Sequence, residues 1–257
     1  MKVFRIKHNN AIFYATHEDG NVFKPLIAGQ QEQKSIPADK CLVLPIVVPS
    51  KIICVGLNYK EHAKELNMDM PEEPMFFFKP PSAIIGNKEN IVLPSMSEQV
   101  DYEGELAVVI GQTGKNITPE NAYKHVFGYT CANDVTARDL QKKDRLFARA
   151  KGFDTFAPIG PSIETSISDP SALTLRTIVN GKVRQESKTS DMIYNPAELI
   201  SFISRIMTLA PGDIILTGTP SGIGQLAVGD EVQIDIEEVG ILTNSVVKDE
   251  SIQTPVQ

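Results

Sequence analysis

In the stretch DYEGELAVVI, Asp101, Glu103 and Glu105 occupy alternate positions. On a strand that spacing aims all three carboxylates at one face. Like charges so placed repel, and burying them is costly. Either the face is wet, and the glutamates are solvated at the mouth of a strand, or a cation offsets the repulsion. Glu103 and Glu105 would stand ~6.5–7 Å apart along the chain, close enough to lean onto one hard divalent ion, which takes oxygens at ~2.1 Å when it is magnesium. Gly104 between them suits a bulge or a close backbone approach. Asp101 is left as a solvated acid.

A third acid, Asp134 in GYTCANDVTARDLQ, follows an apolar run. It suits either a site at a strand end or an N-cap. Arg138 and Gln141 come next and could hold an anion, or form a solvated helix face. Three carboxylates on one divalent ion keep a net negative charge, so an anionic substrate requires nearby cations; Arg138 and Lys151 (in RAKGFDTF) are the candidates. His62 and Glu65 in NYKEHAKELN are three apart and share a helix face. Such a pair can activate water or shuttle a proton, or simply belong to an amphipathic surface helix.

The elements that must position these residues are mostly strands. KIICVG, MFFFKP, GELAVVIG, LTLRTIVNGKVRQES, DIILTG and DEVQIDIEEVGILTNSV all read as strands, and Asn180-Gly181 is a hairpin signal. Helices are few. NPAELISFISRIMTLAPGD has Asn195 as cap, Pro196 in the first turn and Glu198 at the capping-box position. Its stripe is Leu199, Phe202, Ile203 and Ile206, ended by Pro211-Gly212. TPENAYKHV and NYKEHAKELN are shorter helices, and TARDLQKKDRLFARAKG is partly helical. Strands with only occasional helices argue against a doubly wound parallel sheet. The fold class is therefore α+β, β-dominated and mixed. Residues 1–45 form a small N-terminal β unit, turning at His17–Gly20 and followed by the linker AGQQEQKSIPADK; residues 46–257 form the catalytic body.

The chain of 257 residues carries a net charge of −7, which gives no reason to expect nucleic acid or an anionic membrane as partner. Three scattered cysteines, Cys41, Cys54 and Cys131, fit no zinc spacing and suit a reducing compartment. The opening residues alternate like a strand and lack an apolar signal core, and no apolar run approaches the ~20 residues of a membrane span. A cytoplasmic location is expected. No G-x-S-x-G, G-x-G-x-x-G or G-x-x-x-x-G-K-[ST] occurs, which disfavours a serine hydrolase and a nucleotide site.

Four motifs in order, VDYEGELAVVIG, GYTCANDVTARDLQ, AKGFDTFAPIGP and LTGTPSGIG, resemble those of the fumarylacetoacetate hydrolase superfamily across roughly residues 51–247. The resemblance implies a mixed β-sandwich roll with few helices, a homodimer, and magnesium or manganese held by Glu103, Glu105 and Asp134. It implies that Lys151 is the active-site lysine, that Thr219 contacts substrate oxygens, and that Arg138 and Gln141 hold the anionic substrate. VGLNYKEHAKELN resembles the lid of acylpyruvate hydrolases and oxaloacetate decarboxylases, which makes His62 and Glu65 catalytic. The implied substrate is a small 2-oxo acid. The implied chemistry passes through an enolate stabilised by the ion, by C–C hydrolysis, decarboxylation or tautomerisation. Two rivals are an isomerase or decarboxylase of a hydroxymuconate-like diacid and a metal-stabilised binding module without turnover.

Overall fold

The computed structural model describes residues 1–18, 22–26 and 34–249. Residues 28–33 of the AGQQEQKSIPADK segment, and the turn residues Asp19 and Gly20, lie outside the described residues.

Gly104–Ile110 is buried at every position, as its run of Leu, Ala, Val and Ile requires. It pairs antiparallel with Val126–Asn133 on one side and with Ile214–Leu216 on the other. From this centre one sheet extends outward. Beyond Ile214–Leu216 lie Ile52–Val55, in parallel, and Phe76–Lys79; beyond Val126–Asn133 lie Ala157–Glu164 and then the N-terminal strands Lys2–His8, Ala11–Glu18 and Val22–Pro25. A second sheet of five strands runs in the order Lys182–Lys188, Thr174–Val179, Glu231–Ile236, Gly240–Lys248, Asn90–Leu93, the last pair parallel. Both sheets are mixed and helices are few, so the α+β, β-dominated sandwich is the fold observed.

The two sheets meet through alternate residues. Leu106, Val108 and Ile110 face Leu175, Ile234, Ile236 and Leu242 of the second sheet. Ala107 and Val109 point the other way, against Ile52, Cys54, Ile159 and Leu216. A strand so covered on both faces cannot shift register without moving its whole apolar set. The Asn180-Gly181 hairpin forms, with both residues at positive φ (51° and 72°), as a two-residue type I′ turn demands.

Four α-helices are present among the described residues: α1 (Lys60–Glu65), α2 (Arg138–Asp144), α3 (Phe147–Lys151) and α4 (Pro196–Ile206). The capping box of α4 is complete: Asn195 accepts from the Ala197 and Glu198 N–H groups and Glu198 accepts from the Asn195 N–H. Two expectations fail here. The helix stops at Ile206, before Pro211-Gly212, and Ile206 is exposed while Ile200 is buried. TPENAYKHV forms a 3-10 run, Pro119–His125. TARDLQKKDRLFARAKG is broken at Arg145, which adopts positive φ between α2 and α3. No helix among the described residues is long and apolar enough to cross a membrane.

Candidate metal centre and active site

Three elements converge on the carboxylates. Glu103 lies in the single-residue gap between Val100–Tyr102 and Gly104–Ile110, Glu105 is the second residue of the latter strand, and Asp134 leaves the end of Val126–Asn133. One ligand oxygen from each lies within 4.8 Å of the others, and all three residues are buried. The backbone fixes this approach. Asn133 Oδ1 accepts the Glu103 N–H at 2.9 Å, and the Glu103 carbonyl accepts the Asp134 N–H at 2.8 Å. The glycine between the glutamates is required by a close approach: a Cβ on Gly104 would stand 2.1 Å from Thr177 Oγ1. Asp134 does not cap a helix; its carboxylate is in the cluster and α2 begins four residues later.

Cations interleave with the acids. Lys151, at the end of α3, donates to Glu103 Oε2 at 2.8 Å and to Asp134 Oδ2 at 2.7 Å. It is 3% exposed, although lysine before glycine usually sits in solvent. Gly152 is what lets the chain turn there, since a Cβ would meet the Ala148 carbonyl at 2.4 Å. Arg138 donates to Asp101 at 2.8 Å, to Gln141 Oε1 at 2.6 Å and to Glu103 Oε1. Asp101 is therefore not the solvated acid its position suggested. It is buried, and Arg138 neutralises it while bridging it to Glu103.

Lys79 escaped the sequence analysis. Its ammonium is fully buried, stands 2.7 Å from Asp134 Oδ1, and donates to the carbonyls of Val135 (2.9 Å) and Lys151 (2.7 Å). The signal was a lysine closing the apolar run MFFFKP. Gln185 and Gly218 were also missed. The Gly218 N–H donates to Glu105 Oε2 at 2.6 Å. KVRQES offers nothing in its polar pattern to single out Gln185.

Four carboxylates (Asp101, Glu103, Glu105, Asp134) face three cations (Lys79, Arg138, Lys151), so one negative charge lacks a partner. Burial acts to raise the Glu103 carboxyl, but Lys151 and Arg138 reverse this and hold it at about 2. Glu105 is pushed well above the usual carboxylate range, first by burial and then by Asp134 and Glu103. Burial alone would lower Lys151, yet Asp134 and Glu103 raise it. Burial pulls Lys79 down, with Asp134 opposing. Glu105 is thus the one of the four acids without an ion pair among the described residues, and the one whose ionisation the others oppose. Asp134 Oδ1, despite its ion pair with Lys79, is buried with no hydrogen-bond donor aligned to it. Three converging carboxylates, one of them without a cation partner, and an oxygen with no aligned donor are what an all-oxygen site for a hard divalent cation offers, so Glu103, Glu105 and Asp134 fit magnesium or manganese.

A cavity of about 200 Å³ opens over this cluster. Glu103, Lys151, Arg138, Gln141 and Thr219 line its polar side, and Leu66, Met68, Met75, Phe77 and Phe147 its apolar side. His62 also lines it. Its Nδ1 lies 2.7 Å from Glu65 Oε2, while Glu65 Oε1 accepts the Gly222 N–H at 3.0 Å. A carboxylate partner assigns the hydrogen to Nδ1 and leaves Nε2 as the basic nitrogen. All nine residues singled out from the sequence lie in this one region.

The Fumarylacetoacetate (FAA) hydrolase C-terminal family model matches residues 51–247. The mitochondrial oxaloacetate tautomerase FAHD2A of Bos taurus is 48% identical over 214 residues, covering 79% of this chain and 68% of that protein. The crystal structure of 5-carboxymethyl-2-hydroxymuconate delta-isomerase from Mycobacterium smegmatis superposes with a TM-score of 0.89 at 43% identity, covering 98% of this chain and all of that one. Maleylpyruvate hydrolase from Sphingobium sp. SYK-6, in complex with manganese(II) and pyruvate, superposes with a TM-score of 0.80 at 29% identity over 96% of this chain and 99% of that one.

Proposed function

This chain belongs to the fumarylacetoacetate hydrolase family, and from that premise we propose that it is a divalent-metal-dependent enzyme that interconverts keto and enol forms of a small 2-oxo diacid of the oxaloacetate class. The observation that carries this is His62, held through Nδ1 by Glu65, lining the same cavity as Glu103 and Lys151. An acid–base group and a carboxylate-borne cation site thus share one small space.

A magnesium or manganese ion, held by Glu103, Glu105 and Asp134, supplies Lewis-acid stabilisation of negative charge on the substrate's oxygens. The protein's own groups do the rest. Lys151 keeps Glu103 ionised, pairs with Asp134 and brings positive charge to the cavity wall, where an anionic substrate gains from it in a low-dielectric site. Gln141 accepts from Arg138 through Oε1, so its amide N–H groups remain as donors for a carboxylate. His62, with Nε2 basic and Glu65 holding Nδ1, takes the proton from the carbon beside the oxo group and returns it to the other tautomer. The apolar residues Leu66, Met68, Met75 and Phe77 line the side of the cavity facing that transfer and would shield it from water once the rim closes over a ligand. The relatives support the chemistry: one is named an oxaloacetate tautomerase and another a hydroxymuconate isomerase, and both reactions move a proton next to a carbonyl.

The test is the ultraviolet absorbance of enol-oxaloacetate, followed with the purified protein and Mg²⁺. Accelerated decay of the enol signal that chelation abolishes is the expected result. No acceleration over buffer, with metal bound, overturns the reading. A second reading, C–C hydrolysis of an acylpyruvate, is favoured by the same His62–Glu65 pair, which can equally activate water; pyruvate release from an acylpyruvate distinguishes it. The proposal extends to a homodimer in the cytoplasm, which gel filtration of the purified protein and fractionation of the source cells would check.

A further inference from the structure

Gln185 projects from Lys182–Lys188 of the second sheet and is 1% exposed. Its Oε1 accepts the Gly104 N–H at 3.0 Å and the Thr177 hydroxyl at 2.6 Å. Its Nε2 donates to Thr219 Oγ1 at 2.9 Å and to the Pro220 carbonyl at 2.8 Å. All four hydrogen-bonding positions of the amide are used. The orientation of the amide follows from the backbone: the Gly104 N–H needs an oxygen and the Pro220 carbonyl needs an N–H, so the amide cannot be flipped.

That orientation propagates. Because Nε2 can only donate, Thr219 Oγ1 must accept from it. The Thr219 hydrogen is then committed elsewhere, to the Gly104 carbonyl at 3.0 Å. A hydroxyl has one hydrogen and two lone pairs, so the side chain of Thr219 retains one lone pair and no hydrogen. Thr219 lines the cavity. Gly104 is gripped on both sides of its residue: the N–H by Gln185, the carbonyl by Thr219. This is the residue from which Glu103 and Glu105 diverge.

We propose that Gln185 is a positioning residue that holds Gly104 between the two glutamates and fixes Thr219 as a hydrogen-bond acceptor toward the cavity. Thr219 therefore receives an O–H from the bound molecule and does not donate to an oxyanion. The part concerning the bound molecule rests on the proposed function, and its natural donor is the enol hydroxyl of a 2-oxo acid; the part concerning Gly104 does not.

The test titrates Mn²⁺ by calorimetry and measures steady-state kinetics on enol-oxaloacetate. Gln185→Leu leaves buried groups of Gly104, Thr219 and Pro220 without partners. It should weaken Mn²⁺ binding about tenfold or more and raise KM as well. Thr219→Val should raise KM about tenfold while weakening Mn²⁺ binding less than Gln185→Leu does, because Gln185 still holds the Gly104 N–H, and Thr219→Ser should restore both. A folded Gln185→Leu with unchanged Mn²⁺ affinity and KM overturns the proposal, as does Thr219→Val with unchanged KM. If Gln185→Leu does not fold, Gln185→Glu decides. It keeps an acceptor for Gly104 but turns an oxygen toward Thr219 Oγ1, so KM should rise while Mn²⁺ affinity holds; an unchanged KM overturns the assignment. Should the unmodified protein act on no 2-oxo acid, the functional reading fails alone, and the Mn²⁺ titration of the Gln185 variants still decides whether Gln185 positions the glutamates.

Discussion

The floor and the rim of the cavity are built from different materials. The floor hangs on Gly104–Ile110 and Val126–Asn133, which pair over most of their length and are buried on both faces. Around it, Lys79, Lys151 and Arg138 bind the acids in ion pairs with almost no exposure. The rim is α1, six residues long, followed by Leu66, Met68 and Met70, all exposed. Among the described residues, Glu65 on the Gly222 N–H is what ties its charged end to the body. A helix this short has little stability of its own. The floor is thus fixed before any ligand arrives, and the rim is the part that can adjust over one. Metal affinity should follow the floor, and proton transfer the rim.

The largest separation of the two comes from single substitutions on each side. Glu103→Ala should abolish Mg²⁺-dependent turnover together with Mn²⁺ binding in calorimetry; a variant that binds the ion as before removes Glu103 from the ligand set. His62→Ala should slow proton transfer by about 10²–10⁴-fold, the usual reach of a general base, while leaving Mn²⁺ affinity unchanged. If that variant loses metal affinity too, floor and rim are not independent.

Lys79→Met tests whether the floor depends on cations the cavity never sees. It removes one of the two cations paired with buried Asp134 and leaves two carbonyls without their buried donor, which should cost about 3–5 kcal/mol in denaturant unfolding. A loss under about 1 kcal/mol would mean that the ion pair does little for the fold.

The smallest effect contrasts the two glutamates within the floor. Glu105, raised by burial and by Asp134 and Glu103, favours its protonated form on folding. Its contribution is full below its ordinary value near 4.5 and is lost as pH rises through the raised one. Glu103, held at about 2, has the opposite sign: its contribution is present above the ordinary carboxylate value and is lost as pH falls toward 2. Metal-free protein should therefore lose stability as pH rises above about 4.5, and Mg²⁺ should restore it. Glu105→Gln should raise the metal-free melting temperature by about 2–4 °C, roughly 1 kcal/mol, and abolish the response to Mg²⁺. A lower melting temperature would contradict the repulsion assigned to Glu105.

Much of the floor was legible in the sequence because its causes are local. Alternate acids around Gly104, the apolar run that follows, the Asn180-Gly181 turn and the Asn195 cap each act over a few residues, and each formed. The missing parts depend on distant chain segments. Asp101 looked solvated because its neutraliser, Arg138, lies 37 positions away. Lys79 and Gln185 reach the site from strands whose own sequence reveals only an edge or a polar hairpin, and Thr177 and Pro220 meet Gln185 only once both sheets are packed. Ile206 followed the helical stripe but stands at the helix end, where nothing covers it.

The most direct test of the account is the enol-to-keto conversion of oxaloacetate by the unmodified protein, His62→Ala and Glu105→Gln, each measured with Mg²⁺ and with chelator. Rapid conversion is expected for the unmodified protein with Mg²⁺ only, with loss in His62→Ala despite bound metal and loss in Glu105→Gln because no metal binds. Conversion that survives chelation, or that His62→Ala retains in full, would contradict it.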